Sequence, residues 1–234
     1  MNVFSTLKFR FSRPIKALRA VFALMLLLCL SLCLFSCKKE IRYFDYVSEL
    51  RSNVFLASTD EFSLRVYSIK KESPYSADGV PREINVRTEL WLVAPSGEKE
   101  CNLTFTVEGK PYGGEMAYDN VKGEYYLACN LDTSALSAVE CNISYGEQEY
   151  TLTAKSVLSQ DTLSPETVLK NLVNAEAELF ASMTDKYGFA GEIYLRLIYE
   201  DSPYYYVGVI DRSGKINAFL INATSGKILA KREA

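Results

Sequence analysis

The chain reads as mainly β with an α+β end: an immunoglobulin-like antiparallel β-sandwich over residues 49–158, then a helix and a four-stranded antiparallel meander over residues 159–234. Three patterns predict this. Apolar and polar residues alternate at period two from about 50 to 158, in short runs broken by turn residues, as expected of antiparallel strands with one buried face. From Val168 to Tyr187 apolar residues recur at three and four, the helical period. From Ile193 onward the alternation returns. With 234 residues, 48% hydrophobic and 24% charged, the chain has ordinary globular composition and enough length for one large or two small domains.

Residues 1–36 stand apart. They carry five bases (Lys8, Arg10, Arg13, Lys16, Arg19) and no acid, and end in the apolar run from Val21 to Ser36. Sixteen residues make about 24 Å of helix, short for the ~30 Å hydrocarbon core of a bilayer. A basic segment, an apolar segment and a small residue before a break form the layout of an export signal. In detail, Leu34-Phe35-Ser36-Cys37 resembles the end of bacterial lipoprotein signal peptides: Leu at −3, a small residue at −1, then Cys. Phe35 is bulkier than the usual residue at −2, while Cys29 and Cys33 follow Leu28 and Leu32 and lack the small neighbour. The resemblance implies cleavage after Ser36, lipid attachment (diacylglycerol and acyl chains of the palmitate kind) at Cys37, and a protein held on a bacterial membrane facing outside the cytoplasm. Two or more chains anchor stably where one is marginal. An uncleaved signal anchor is the other reading. Residues 37–48 would be a tether, part of which should pack because it is poor in Gly and Ser.

Within 49–158 the runs Phe62-Leu64-Val66, Ile84 to Leu92, Leu103-Phe105-Val107, Leu127-Cys129-Leu131, Val139 to Tyr145 and Tyr150-Leu152-Ala154 give seven or eight strands, the number and spacing of a sandwich. Cys101, Cys129 and Cys141 share parity with apolar neighbours and should point inward. Buried thiols behave as small apolar groups. Outside the cytoplasm one disulfide among the three is the alternative, with the pairing open. Trp91 has opposite parity to Leu90 and Leu92, which makes it either an exposed anchor or the core of a second sheet face.

Ser164-Pro165-Glu166 opens the helix with an N-cap, a proline at the first position and an acid at the positive end. Val168/Leu169, Leu172/Val173, Leu179/Phe180, Met183 and Tyr187 form one stripe over about six turns, ended by Gly188 and Gly191. The strands that follow close on Asn222-Ala223-Thr224-Ser225-Gly226-Lys227-Ile228-Leu229. This resembles the Asp-Ala-x-Thr-Gly-x-Val-Leu turn of the PepSY domain family, with Asn for Asp and Ser for Thr, both able to hydrogen-bond within the turn. The resemblance covers roughly the last 70 residues and implies a protein-contacting or peptidase-inhibiting role in the envelope.

The chemistry narrows by exclusion. There is no histidine, so Ser-His-Asp triads, Cys-His dyads and His-containing zinc sites are ruled out. Beyond residue 36 the chain holds 21 bases against 29 acids, a net −8, which argues against nucleic-acid binding. The cysteine spacings lack the close pairs of zinc sites, and no Asp-rich calcium loop is present; no metal or cofactor is expected. The acid pairs Asp60-Glu61, Glu200-Asp201 and Glu147/Glu149 fall in predicted turns, where solvated charge is the rule. Tyr204-Tyr205-Tyr206 is the candidate binding surface, aromatic rings offering large rigid faces; ordinary sheet tyrosines are the alternative. The expectation is a non-enzymatic membrane lipoprotein that binds an envelope protein or regulates a peptidase. The alternative is a cell-wall or carbohydrate binder.

Overall fold

The structure, a computed structural model, describes residues 41–73, 82–95 and 99–233; residues 1–36, expected to form an export signal, and Cys37 lie outside the described residues. A 3-10 turn at Tyr43–Tyr46 leads into strands β1 (Val47–Ser58), β2 (Ser63–Glu72), β3 (Ile84–Val93), β4 (Cys101–Val107), β5 (Lys110–Glu115), β6 (Ala117–Asp119), β7 (Glu124–Cys129), β8 (Ala138–Tyr145) and β9 (Gln148–Ser156). Helices α1 (Pro165–Ala175) and α2 (Ala177–Ser182) follow, then the short hairpin β10 (Thr184–Asp185) and β11 (Gly188–Phe189). Strands β12 (Glu192–Tyr199), β13 (Pro203–Ile210), β14 (Ile216–Asn222) and β15 (Ile228–Glu233) complete the fold. It is mainly β, with a large and predominantly antiparallel sheet of 13 strands.

Strand β1 is where the sheet branches. One edge pairs with β2 along its length, while the other pairs in parallel with β12 from Val47 to Arg51 and then antiparallel with β9 at Phe55 and Leu56. One arm therefore runs β15-β14-β13-β12-β1-β2-β3-β7-β6, and a second, β9-β8-β4-β5, leaves from β1. The change of partner coincides with a bulge: Arg51 faces Ile69 and Asn53 faces Ser68, leaving Ser52 as the extra residue. A bulge bends a strand and raises its twist, which lets one strand serve two arms.

Two apolar cores result. Phe55, Leu64, Val66, Leu90 and Leu92 pack with Leu103, Phe105, Cys141, Ile143 and Leu152 of the second arm. In this core β5 crosses β4 closely: a side chain at Gly113, whose φ is +123°, would start 2.0 Å from the Leu103 carbonyl oxygen, so only glycine fits. Cys101, Cys129 and Cys141 all reach this core as free thiols, Cys129 half-buried. Burial pushes the Cys101 thiol up to about 11 and, with Glu140, the Cys141 thiol up to about 12.

In the second core Val168, Leu169 and Leu172 of α1 and Phe180 of α2 cover Ile193, Leu195, Val207, Val209 and Phe219 of the carboxy-terminal strands. Each such side chain contributes roughly 1.5–3 kcal/mol relative to an exposed one. The approach segment joins this core, Tyr43 meeting Phe180 and Phe189 edge-on at 4.9 and 5.3 Å and Tyr46 meeting Phe189 at 5.4 Å. The helix starts as the residues predict, with the Thr167 N–H donating to Ser164 Oγ at 3.2 Å. It ends earlier than the apolar stripe suggests. Glu176 leaves helical geometry (φ −115°, ψ 38°), and the hydroxyls of Ser182 and Thr184 donate to the carbonyls of Leu179 and Phe180 in the last turn, which competes with a further helical turn. Tyr187, expected on the stripe, is 83% exposed in the β10–β11 turn.

At the β14–β15 turn, Asn222 Oδ1 accepts from the Thr224 and Ser225 N–H groups at 3.1 and 2.8 Å, and Gly226 takes φ +70°. The turn lies against the helix entry, where the Leu163 N–H donates to the Ala223 carbonyl at 2.8 Å.

A polar node closes the branch point. Asn53, fully buried, donates to the carbonyls of Ser134 and Leu136 at 3.1 and 3.2 Å and accepts from Ser156 Oγ at 2.7 Å. Ser68 and Thr88 hold the same loop through Asp132 and through the Leu131 carbonyl and Thr133. Removing a buried partner costs about 1–3 kcal/mol per orphaned group, so Asn53→Ala should lower unfolding free energy by at least about 2 kcal/mol in urea titration. A loss below roughly 0.5 kcal/mol, the scale of a surface change, would show that the loop is held without it.

Candidate functional site

Register defines an outer face. Leu64 and Val66 on β2 and Leu90 and Leu92 on β3 point into the core, so Arg65, Tyr67, Glu89 and Trp91 point away from it. Trp91 lies directly between Arg65 on β2 and Tyr126 on β7. Its ring is 4.5 Å from that of Tyr126, and Lys122 Nζ, from the β6–β7 turn, sits 3.8 Å over it. Arg65 Nη2 donates to both Glu124 carboxylate oxygens at 2.6 Å. Arg65, Trp91, Lys122 and Glu124, with Arg51, Tyr67 and Glu89, line an open groove of about 340 Å³.

The face continues through β1 into β12. Arg196 Nε and Nη2 grip Glu49 at 2.6 and 2.9 Å, and Lys71 Nζ approaches the same carboxylate at 3.5 Å. Burial alone would raise the Glu49 carboxyl, but the Arg196 hydrogen bonds and the charges of Arg196, Lys71 and Arg51 outweigh it and hold the group below its ordinary range. The Arg196 guanidinium in turn lies 4.8 Å from the Tyr194 ring and 5.9 Å from that of Tyr206.

Arg51 differs from the other cations. It stands beside Arg196 across β1–β12 and one strand away from Arg87 across Ile69. Its guanidinium lies 4.1 Å from the Tyr67 ring centre; its Nε, like those of Arg65 and Arg87, is buried with no hydrogen-bond partner among the described residues, but unlike those two arginines it makes no ion pair there. The nearby carboxylates are taken, Glu49 by Arg196 and Lys71, Glu89 by Arg87. Burial pushes the Arg51 pKa down, and Arg196 adds to this, while Tyr67, Glu49 and Glu89 oppose it; a guanidinium still keeps its proton at neutral pH.

The tyrosine triplet does not form one surface. Alternation along β13 buries Tyr205, 1% exposed, whose hydroxyl donates to the Leu163 carbonyl at 3.0 Å. Tyr204 and Tyr206 are half-buried and share the opposite face with Ile198 and Arg196, their partners on β12. Tyr205 is thus a core residue, and only Tyr206 touches the charged face. Cys37 lies outside the described residues. Asp60-Glu61, Glu200-Asp201 and Glu147/Glu149 all stay in or beside exposed turns. Trp91, open to two readings from parity alone, is half-buried on the outer face.

Sequence reasoning did not single out Glu49, Arg51, Arg65, Lys122 or Glu124. The signal available was the outward parity of β2 and β3, where Arg65-Tyr67 and Arg87-Glu89-Trp91 replace the Ser and Thr usual on a wet sheet face. Comparison of the chain with protein-family models, curated proteins and solved structures finds no match.

Two outcomes test this geometry. Trp91 is the sole tryptophan, so Lys122→Ala should shift the intrinsic emission to longer wavelength as water replaces the cation, with a stability loss within about 1 kcal/mol; unchanged emission would remove Lys122 from the ring. For Glu49, a folded-state pKa below the unfolded one means stability present above the ordinary carboxylate range and lost as pH falls through the lower folded value. Glu49→Gln should therefore be less stable than the parent near neutrality, with the gap closing on acidification below about pH 4, as read from urea midpoints across pH.

Proposed function

We propose that the chain is a membrane-anchored extracytoplasmic lipoprotein, lipidated at Cys37, that acts without catalysis by binding a protein partner or regulating a peptidase. The observation that carries the binding part is the outer face of β12, β1, β2, β3 and β7. Trp91, Tyr126, Tyr67 and four arginines (Arg51, Arg65, Arg87, Arg196) meet there. Trp, Tyr and Arg are the residue types that carry most binding energy at protein interfaces. The anchoring part rests on Leu34-Phe35-Ser36-Cys37 and the acid-free, basic segment before it.

The finer fold reading belongs to the same proposal. An immunoglobulin-like sandwich for residues 49–158 is supported by a core drawn from two sheet arms. A PepSY-like domain for residues 159–234 is supported by the helix-then-strands order and by the Asn222–Gly226 turn seated on the helix entry.

Two experiments test the proposal. A photo-crosslinking residue at Tyr126 of the full chain in living cells should capture an envelope protein; recovery of peptidoglycan or glycan in place of protein would favour the cell-wall alternative. Cys37→Ala should abolish incorporation of labelled fatty acid and release the chain from membranes. Full membrane retention without label would point to an uncleaved signal anchor.

A further inference from the structure

The outer face has a charge sign opposite to that of the chain. Six bases (Arg51, Arg65, Lys71, Arg87, Lys122, Arg196) face four acids (Glu49, Glu89, Asp119, Glu124), whereas the chain beyond residue 36 is net −8. The surplus is also placed. Arg65, Arg87 and Arg196 each hold a carboxylate, Lys71 shares Glu49, and Lys122 sits over Trp91 and within 3.8 Å of the Asp119 carboxylate. Arg51 alone in this set makes no ion pair among the described residues, and it stands in the wall of the groove.

Its geometry suits an incoming carboxylate. Its contact with the Tyr67 ring restrains the guanidinium, and a restrained fork loses less entropy when it binds a planar anion through two parallel hydrogen bonds. A half-buried cation with no counter-ion is costly, and Arg196 beside it adds repulsion. A docked anion relieves both.

We propose that Arg51 is a carboxylate-docking residue and that the groove over β1, β2, β3 and β7 receives an acidic peptide segment of the partner. One carboxylate rests on the Arg51 guanidinium, and a neighbouring side chain of the segment lies against Trp91 and Tyr126. This rests on the protein-binding reading above and specifies its chemistry: the partner is acidic at the contact, and binding weakens with salt.

The test uses the full chain in detergent and Trp91 emission, excited at the red edge where tyrosine is silent. The probes are a Glu-Tyr copolymer peptide, a Lys-Tyr copolymer of equal length, and phosphatidylglycerol vesicles. The Glu-Tyr peptide should bind and the Lys-Tyr peptide should not. Arg51→Gln should weaken Glu-Tyr binding at least about tenfold, and Arg51→Lys, which keeps the charge but not the fork, by a smaller but measurable factor. Lys215→Gln, the same charge change in an ion pair with Glu233 at the β14–β15 edge, should leave affinity unchanged. Arg51→Lys decides the matter alone if Arg51→Gln does not fold. Equal losses in Arg51→Gln and Lys215→Gln, unchanged affinity in both Arg51 variants, or binding confined to the vesicles would each overturn the proposal. Capture of an envelope protein that persists in Arg51→Gln would also overturn it while leaving the protein-binding reading intact; failure of that reading shows instead as no captured protein at all.

Discussion

The fold depends on a single strand serving three neighbours. β1 must pair with β2 on one edge and, on the other, hand over from β12 to β9 within a few residues. A flat strand cannot do this, because the two arms it feeds diverge. The extra residue at Ser52 supplies the bend, and Asn53 next to it donates twice and accepts once at the loop and strand end that seal the gap. An apolar residue at 53 would leave carbonyls dry and unpaired where the arms separate. Both cores rest on this arrangement, Phe55 entering one and Val54 the other from adjacent positions.

The same strand organises the charged face. Glu49 and Arg51 lie on the side of β1 away from Leu50, which packs toward the helix-covered core. Glu49 is nearly buried yet ionised, because Arg196 from a strand 147 positions away supplies a two-pronged partner. That pairing uses the one parallel ladder among the described residues, so the electrostatic node and the junction of the two arms are one structure. Arg51, two residues on, shares the burial without the partner. An aromatic ring takes the place of a counter-ion at Arg51, and at Lys122 the Trp91 ring adds to the Asp119 carboxylate, an arrangement that keeps the cations directional.

Much of this was legible where side-chain parity is simple. β2, β3, β4, β8 and β9 show clean alternation, and the helix start at Ser164 and the turn at Asn222–Gly226 are written in capping and turn residues. β1 was not legible. Its register shifts break the period of two, and Val54 and Phe55 are both buried, so the run Val47–Ser58 reads as neither a wet strand nor a helix. The helix end was misjudged because an apolar residue at the right spacing, Tyr187, says nothing about the hydroxyls of Ser182 and Thr184 that end the helix. Tyr204-Tyr205-Tyr206 reads from sequence as either an aromatic surface or ordinary sheet tyrosines, and the pleat sends Tyr205 inward while Tyr204 and Tyr206 stay on the other face.

By itself the amino-acid sequence determined the β-rich class, the helix between two stretches of strand, the absence of histidine chemistry, the acidic balance beyond residue 36 and the basic-then-apolar character of residues 1–36. These follow from local periodicity, composition and short motifs, each read within one turn or one strand. Only the tertiary structure decided that one sheet runs through both cores, that Glu49 meets Arg196, and that Arg51, Arg65, Trp91 and Lys122 share a groove. Those outcomes depend on which strand edges pair, and strand pairing is a long-range choice that no local pattern encodes.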